Sequence, residues 1–428
     1  MKVLLLTREY PPDIYGGAGV HVEYLARELA RLASVEVRTF GHQDVESERL
    51  VVHGYGAAAE TADNPEGAYP FAPVVRALRV CLSLGVQATD ADIVHSHTWY
   101  AAFGGLLARL IHGIPLVATA HSIEPLRPWK REQLGRGADI SAWAERVALE
   151  AADAVIAVST EMRWDLLRHY AIAPDRIHVI PNGIDTDTYR PTSGRARLGR
   201  FGIDPSRPYV LFVGRISRQK GILHLIQAIP HLLPETQVVL CAGTPDTPDL
   251  AHEVEAAVKQ VQTERPGVVW IPEMVDRPTA VELYSHAAVF CCPSVYEPFG
   301  LINLEAMACE APVVASAVGG IPEVVVDGET GLLVPVELIE HDGVVEPRDA
   351  DGFARALARA LNTLLADPAL RRTMGVKGRQ RAEAHFGWAT VARRTLALYQ
   401  TLIEAHAPGR RHGPPPGAAS RRPDAERG

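Results

Sequence analysis

The sequence lacks several features that would place it in a special class of protein. No apolar run reaches the length of a membrane-spanning helix, and the apolar residues within 1–7 are too few for a signal peptide. The five cysteines form no Cys-x-x-Cys pair, and a formal net charge of −8 disfavours bulk binding of nucleic acid. These absences predict a cytoplasmic protein with reduced thiols, no membrane span and no nucleic-acid partner.

The length and composition favour two globular domains. With 428 residues, of which 47% are hydrophobic and 22% charged, the chain has material for two cores. Its first part alternates short apolar strands with amphipathic helices, which is typical of a parallel sheet covered on both faces. The expected strands span 3–6, 35–40, 93–97, 116–121, 154–159 and 176–180, and the expected helices span 20–32, 77–87 and 141–152.

A polar stretch from 181 to 208 predicts the connection between the domains, and the same alternation begins again after it. We therefore expect an N-terminal domain over 1–183, a C-terminal domain over 184–386, a last helix over 387–406 and a disordered tail over 407–428. The tail prediction rests on its content of Pro, Gly, Arg and Ala. Further strands are expected at 209–213, 237–241, 268–271, 288–292, 313–316 and 332–334, and further helices at 221–233, 250–261, 280–286, 352–366 and 369–384.

The most informative stretch is 293–305, Pro-Ser-Val-Tyr-Glu-Pro-Phe-Gly-Leu-Ile-Asn-Leu-Glu. It follows an apolar strand and turns helical after Phe299 and Gly300, so a helix start near Leu301 offers free amide groups that suit a phosphate. Glu297 lies beside this position and Glu305 about one turn into the helix. The alternative interpretation is an ordinary turn glutamate plus a glutamate that complements the helix dipole.

A basic loop, 214–221, follows the first strand of the second domain. If it curls before the next helix, Arg215 and Lys220 converge on one pocket, where a planar guanidinium and a point charge suit a diphosphate. The alternative is a solvated basic loop. Because the chain is net negative, an anionic substrate would need local cations of this kind.

The glycine-rich loop after the first strand is Tyr15, Gly16, Gly17, Ala18 and Gly19. It is not a Gly-x-Gly-x-x-Gly fingerprint, so a nicotinamide cofactor is disfavoured. Its glycines would let backbone amides approach a phosphate or a sugar. The alternative is a flexible loop between strand and helix.

Histidines stand at two strand ends. His95 and His97 are two residues apart and share a strand face, and His121 ends the next strand. A metal site is conceivable, but no third ligand is placed by spacing, so structural histidines with satisfied hydrogen bonds are favoured and no metal is predicted.

The block from Glu297 to Glu305 resembles the Glu-x7-Glu signature of retaining glycosyltransferases in the glycogen synthase-like family, of the family 4 type. The resemblance implies an α/β structure with the GT-B fold, in which two Rossmann-like parallel-sheet domains face each other across a cleft and the final helix returns to the first domain. It places Glu297 near the transferred sugar and Glu305 on the ribose hydroxyls of a nucleotide-sugar donor. Phe299, Gly300 and Leu301 fall in the same donor site.

Other residues carry the same resemblance. Arg215 and Lys220 match the Arg-x4-Lys pair of the family. His121 ends a Thr-x-His motif whose histidine lies against the transferred sugar, and His97 is expected behind it. The run from 10 to 21, which contains Gly16 and Gly17, looks like that of actinobacterial members, several of which make maltose 1-phosphate from ADP-glucose and glucose 1-phosphate. The residues expected behind the site or near the acceptor are His97, Asn182, Tyr15 and His21.

The implied function is a retaining transfer of α-glucose from a nucleotide sugar, expected to be ADP-glucose. The acceptor would be glucose 1-phosphate, giving maltose 1-phosphate, or the non-reducing end of an α-1,4-glucan. No cofactor is expected besides the donor, and an oligomer is possible. The alternatives are a UDP- or GDP-sugar enzyme that acts on a glycolipid or small molecule, a nucleotide-sugar epimerase, and a non-catalytic binding module.

Overall fold

The computed structural model describes residues 1–56, 72–341 and 344–406, and its framework consists of two separate main sheets. The first is built from strands before residue 180 and the second from strands after residue 208. The tail predicted to be disordered, 407–428, lies outside the described residues, and the domain boundaries stay predictions.

Eight strands form the first sheet: β1 Lys2–Leu6, β2 Ser34–Phe40, β3 Asp44–Glu46, β4 Leu50–Tyr55, β5 Ile93–His97, β6 Leu116–Ala120, β7 Ala154–Ala157 and β8 Ile177–Val179. Their spatial order is β3-β4-β2-β1-β5-β6-β7-β8. Every neighbouring pair is parallel except β3 with β4. The carboxyl ends of the parallel strands therefore lie along one edge, where open sheets bind ligands.

Six strands form the second sheet: β9 Tyr209–Arg215, β10 Gln237–Gly243, β11 Val268–Ile271, β12 Val289–Cys292, β13 Val313–Ser316 and β14 Gly331–Val334. Their order is β11-β10-β9-β12-β13-β14, and all five pairings are parallel. A separate antiparallel hairpin joins β15 Leu338–His341 to β16 Val344–Pro347. The strand order reverses direction between β9 and β12, which is the position where ligands bind in open sheets of this kind.

Helices connect and cover the strands. In chain order they are α1 Gly17–Ala30, α2 Ala72–Val86, α3 Thr98–His112, α4 Lys130–Leu134, α5 Gly137–Ala151, α6 Thr160–His169, α7 Ile222–Ala228, α8 Pro248–Glu264, α9 Arg277–His286, α10 Leu301–Ala308, α11 Ile321–Val324, α12 Ala350–Ala366, α13 Pro368–His385 and α14 Trp388–His406.

The first strand shows why the sheet is covered on both faces. Leu4 and Leu6 belong to the cluster that contains residues of α2 and α3, whereas Val3 and Leu5 belong to the cluster that contains residues of α1 and α14. Successive side chains of a strand point to opposite faces, and all four are fully buried. A strand that is apolar at every position therefore lies between two helical layers.

Most strand predictions are confirmed, and those at 93–97, 268–271 and 313–316 match to the residue. The structure corrects three other expectations. Helix α1 begins at Gly17 rather than residue 20, and it ends at Ala30 rather than residue 32, so that Leu32 lies beyond the helix and is 47% exposed. The helix expected over 221–233 is shorter, because Pro230 lies in a separate turn of 3₁₀ helix after α7. Sequence patterns also missed α3, α6 and the β15–β16 hairpin.

The last helix returns to the first half of the chain. Trp388, at its start, stacks on Tyr24 of α1 with ring centroids 5.5 Å apart and an interplanar angle of 5°. Further along α14, buried Tyr399 and His95 share a 2.5 Å hydrogen bond between the phenol oxygen and Nδ1. The return of this helix, which the family resemblance implied, is therefore present. Among the described residues, no helix combines the length and apolar character needed to cross a membrane.

The close approach of Gly183 to Trp388 generates a stability prediction. A Cβ added at Gly183 would lie 2.5 Å from the indole, whereas one added at Gly387 would meet nothing within 4 Å. We expect Gly183→Ala to lower the free energy of unfolding by ~1–3 kcal/mol, the usual cost of overpacking. Gly387→Ala, next to the same ring, should change it by less than ~0.5 kcal/mol. Urea unfolding of both variants checks this, and equal stabilities would contradict it.

Candidate active site

The two predicted cations lie at the carboxyl end of β9, each with a carboxylate partner. Lys220 Nζ lies 2.6 Å from Glu297 Oε2, and both side chains are largely buried. Arg215 Nη1 donates to Asp246 Oδ1 at 2.5 Å and to the Tyr15 hydroxyl at 2.8 Å. The loop between them does curl back, since a Cβ on Gly214 would lie 3.7 Å from Lys220 Cγ.

The segment after β12 forms the other wall of the site. Gly300 has φ +106°, a conformation that favours glycine, and helix α10 begins at the next residue. A Cβ at Gly300 would lie 2.6 Å from Asn303 Nδ2, so the turn is also sterically closed to larger residues. The amide of Gly320 donates to the carbonyl of Glu297 at 2.9 Å, which fixes the backbone that carries the carboxylate.

The two glutamates of this segment occupy different environments. Glu297 pairs with Lys220, whereas Glu305 accepts a 2.9 Å hydrogen bond from the Tyr284 hydroxyl. Burial raises the pKa of Glu305, while hydrogen bonds from Tyr284 and Tyr189 act in the opposite direction. The predicted roles, Glu297 near the sugar and Glu305 near the ribose, stay predictions.

The glycine-rich loop meets this wall from the first sheet. A Cβ at Gly17, the first residue of α1, would lie 3.1 Å from Leu301 Cδ1. The Glu9 carboxylate accepts hydrogen bonds from the amides of Tyr15 at 2.9 Å and Gly16 at 2.7 Å. The Gly16 amide is therefore engaged by Glu9, and Gly17 lies against Leu301 at the start of α10.

Four histidines lie in contact with one another: His95 and His97 on β5, His121 just after β6, and His21 on α1. His21 Nδ1 donates to Asn182 Oδ1 at 2.7 Å, and His97 Nδ1 shares a 3.0 Å hydrogen bond with His121 Nε2. His95 is satisfied at both ring nitrogens, by Tyr399 and by the Thr119 hydroxyl at 2.7 Å, which confirms its structural interpretation. His97 differs, because its buried Nε2 has no hydrogen-bond partner among the described residues.

The cluster also supplies the third histidine that spacing could not place. Ligand atoms of His21, His97 and His121 lie within 4.8 Å of one another, close enough to hold a metal ion after small adjustments. His21 lies on α1, far in sequence from the other two. The prediction that no metal is bound is not tested by this geometry and stays a prediction.

Contacts between the loops of the two sheets bring these residues together. Arg215 and Tyr15 join the loops after β9 and β1. Ser159 Oγ, after β7, donates to the carbonyl of Pro298 at 2.7 Å, and the Ile123 amide, after β6, donates to the Tyr296 hydroxyl at 3.4 Å. All these segments follow strand ends, so the carboxyl edges of the two sheets face each other.

Several site residues escaped the sequence analysis. Glu9 and Asp246 directly follow strands of parallel sheets, and that position is a signal that could have found them. Tyr189 and Tyr284, which bond Glu305, lie in a connecting segment and on α9 and carry no local signal. Arg277 of α9 makes an ion pair with Glu23 of α1.

Comparison with known proteins gives two family matches. Residues 15–188 match the model of Glycosyltransferase Family 4, and residues 207–363 match that of Glycosyl transferases group 1. The chain is 48% identical to the alpha-maltose-1-phosphate synthase of Mycolicibacterium smegmatis over 94% of its own length and 100% of that protein. It is 34% identical to the D-inositol 3-phosphate glycosyltransferase of Xylanimonas cellulosilytica over 90% and 91% of the two chains.

Among solved structures, sucrose-phosphate synthase from Thermosynechococcus elongatus superposes with a TM-score of 0.75. The identity is 27%, and the match covers 95% of this chain and 100% of that one. Both halves and the last helix thus fall within one known architecture.

The buried histidines generate a prediction about pH. Burial lowers the pKa of His21 to about 4 and holds the pKa of His95, His97 and His121 well below 6.5. Because the unfolded chain takes up these protons near pH 6.5, stability should fall as the pH drops below that value. We expect the four imidazole NMR signals, assigned by single substitutions, to stay at their neutral positions from pH 7.5 to 5.5. A midpoint above pH 6 for any of them would contradict this.

Proposed function

The chain belongs to the family 4 glycosyltransferases with the GT-B fold, and from that membership we propose that it transfers an α-glucosyl group from ADP-glucose to glucose 1-phosphate. The product is maltose 1-phosphate, a building block for α-glucan, and the reaction takes place in the cytoplasm. The 48% identity to relatives named alpha-maltose-1-phosphate synthase, over nearly the whole chain, supports this acceptor. The alternative acceptor within the same reaction is the non-reducing end of an α-1,4-glucan.

The observation that carries the proposal is the ion pair between Lys220 and Glu297, which lies just before the start of α10. Arg215 begins the same loop as Lys220. A diphosphate leaving group gains negative charge as its bond to the sugar breaks. Two preformed cations and the first amides of a helix stabilise that charge without reorganising in the transition state. Glu297 and Asp246 pair with the same cations and hold them in place.

We propose that transfer proceeds with retention, on the same face of the sugar. The bond between sugar C1 and the diphosphate oxygen breaks, and a bond forms between C1 and the acceptor hydroxyl oxygen. The hydroxyl proton passes to the departing diphosphate, so no protein base is required for that proton. His121, which is neutral because burial lowers its pKa, would hydrogen-bond the transferred sugar without adding charge. No metal or further cofactor takes part in this scheme.

A second function in the same class is favoured by a specific similarity. Relatives that are 33–34% identical over at least 90% of this chain are named D-inositol 3-phosphate glycosyltransferases. Such an activity would keep the donor mechanism and change the acceptor to another phosphorylated ring. It differs from the main proposal in the acceptor and therefore in the product.

Product analysis tests the proposal. The purified protein is given ADP-glucose or UDP-glucose with glucose 1-phosphate, glycogen or inositol 3-phosphate, in excess chelator. We expect ADP-glucose and glucose 1-phosphate to give the phosphate of a disaccharide of two hexoses. Digestion with phosphatase and then α-glucosidase would show that the linkage is α. Extension of glycogen alone, transfer to inositol phosphate alone, or activity lost in chelator and restored by magnesium would each contradict a stated part of the scheme.

Removal of either cation should slow the chemical step. We expect Lys220→Ala or Arg215→Ala to lower kcat by roughly several hundredfold, the usual cost of losing one preformed donor to developing charge. Lys259→Ala serves as the control, because Lys259 is an exposed lysine of α8 that pairs with Glu255. Steady-state kinetics measure the effect, and near wild-type turnover in both cation variants would remove them from the mechanism.

A further inference from the structure

Lys130, in the first half of the chain, is a lysine without a partner, and the charge of Arg215 acts on it. In the part of the chain that the structure describes, the ammonium of Lys130 makes no hydrogen bond or ion pair. Burial, and then the positive charge of Arg127, lower the pKa of Lys130 to about 8. Lys130 is a half-buried cation without a direct counter-ion, and such a position suits an anionic ligand.

Arg127, three residues earlier, also has unused donors. Its Nη1 reaches Ser122 Oγ and Glu124 Oε1 at 3.3 Å each, both long contacts. Its Nε is buried without a hydrogen-bond partner among the described residues, although the side chain is 15% exposed. One edge of the guanidinium is therefore free for a bidentate contact, the geometry with which arginine binds phosphate.

Both residues are held at the cleft. The loop that carries them contacts the segment after β12 through the Trp129 and Tyr296 rings, whose centroids lie 5.9 Å apart. Glu132, two residues after Lys130 on α4, pairs with Arg218 of the loop 214–221, so α4 lies against the loop that also carries Arg215. Lys130 thus comes from the first half of the chain and lies at its contact with that basic loop.

A third cation of the first half, Arg8, accompanies Lys130 and Arg127. Arg8 follows β1, and its guanidinium carbon lies 4.1 Å from the centroid of the Tyr100 ring. The charges of Arg8 and Arg127 act on the Tyr100 hydroxyl, as do those of Glu9 and Glu124, so only part of this positive charge is offset. The ammonium of Lys130 and the Nε–H of Arg127 keep donors that a phosphate monoester can use, whereas a neutral glucan end brings no charge to them.

We propose that Lys130 and Arg127, assisted by Arg8, bind the phosphate monoester of the acceptor and so select a phosphorylated sugar over a neutral glucan. This assignment rests on the proposed function, because it names the residues that recognise its acceptor. Lys130 contributes a point charge, and Arg127 contributes the fork formed by Nε and an Nη nitrogen.

The test compares acceptors with and without phosphate. Wild type, Lys130→Gln, Lys130→Arg and Arg127→Gln are assayed with ADP-glucose and either glucose 1-phosphate or glucose. We expect the KM for glucose 1-phosphate to rise about ten- to a hundredfold in both Gln variants, the cost of losing a charged hydrogen bond. The preference for glucose 1-phosphate over glucose should fall by a similar factor, inorganic phosphate should inhibit the variants less, and Lys130→Arg should keep most of the affinity.

Arg131→Gln is the matched control, because Arg131 is the next residue of the same short helix, 65% exposed and paired with Asp139. A KM unchanged within about twofold in Lys130→Gln, a rise in the KM for ADP-glucose instead, or an equal loss in Arg131→Gln would overturn the assignment. Failure of the wild type to use glucose 1-phosphate at all would instead overturn the proposed function, so the two failures are distinguishable.

Discussion

The structure depends on holding positive charge inside a cleft of a protein that is negative overall. The formal net charge is −8, yet Lys220 and Arg215 share one loop of the second half, and the charge of Arg215 acts on Lys130 of the first half. Like charges gathered in a partly buried place repel one another and are poorly hydrated. Two of them are paired with carboxylates, Glu297 and Asp246, which offset their charge. A diphosphate can share these cations when it binds, because a compact ammonium and a guanidinium fork have further donors to offer.

Hydrogen bonds between the two halves complete the surroundings of these ion pairs. Arg215 reaches across to Tyr15 of the first half, and Ser159 of the first half donates to Pro298 beside Glu297. Neither half alone therefore has the full environment of the site. The cations and the helix start come from the second sheet, and the surface that orders their loops comes from the first.

Much of this arrangement could be predicted from sequence, and the limits have physical causes. Strand ends with charged or glycine-rich loops gave Arg215, Lys220 and Glu297, because parallel strands end at one edge. Helix α1 was placed three residues late, since Gly17 and Gly19 look like loop residues. The helix starts early because the Glu9 carboxylate takes up the amides just before it, and a Cβ at Gly19 would lie 2.8 Å from Glu9 Cβ. No local pattern encodes such a contact.

The histidine cluster shows a second limit of prediction from sequence, and it connects the last helix to the candidate active site. His21 and Asn182 are far apart in sequence, and they meet only because α1 and the crossing between the halves pack against Trp388. At this point the chain crosses twice, and the Ile184 amide donates to the carbonyl of Phe386 at 2.7 Å. The two passages lie side by side, and the ring centroids of His21 and Trp388 are 5.2 Å apart. The histidine cluster therefore lies next to the connection between the halves, so the packing of the last helix also orders the candidate site.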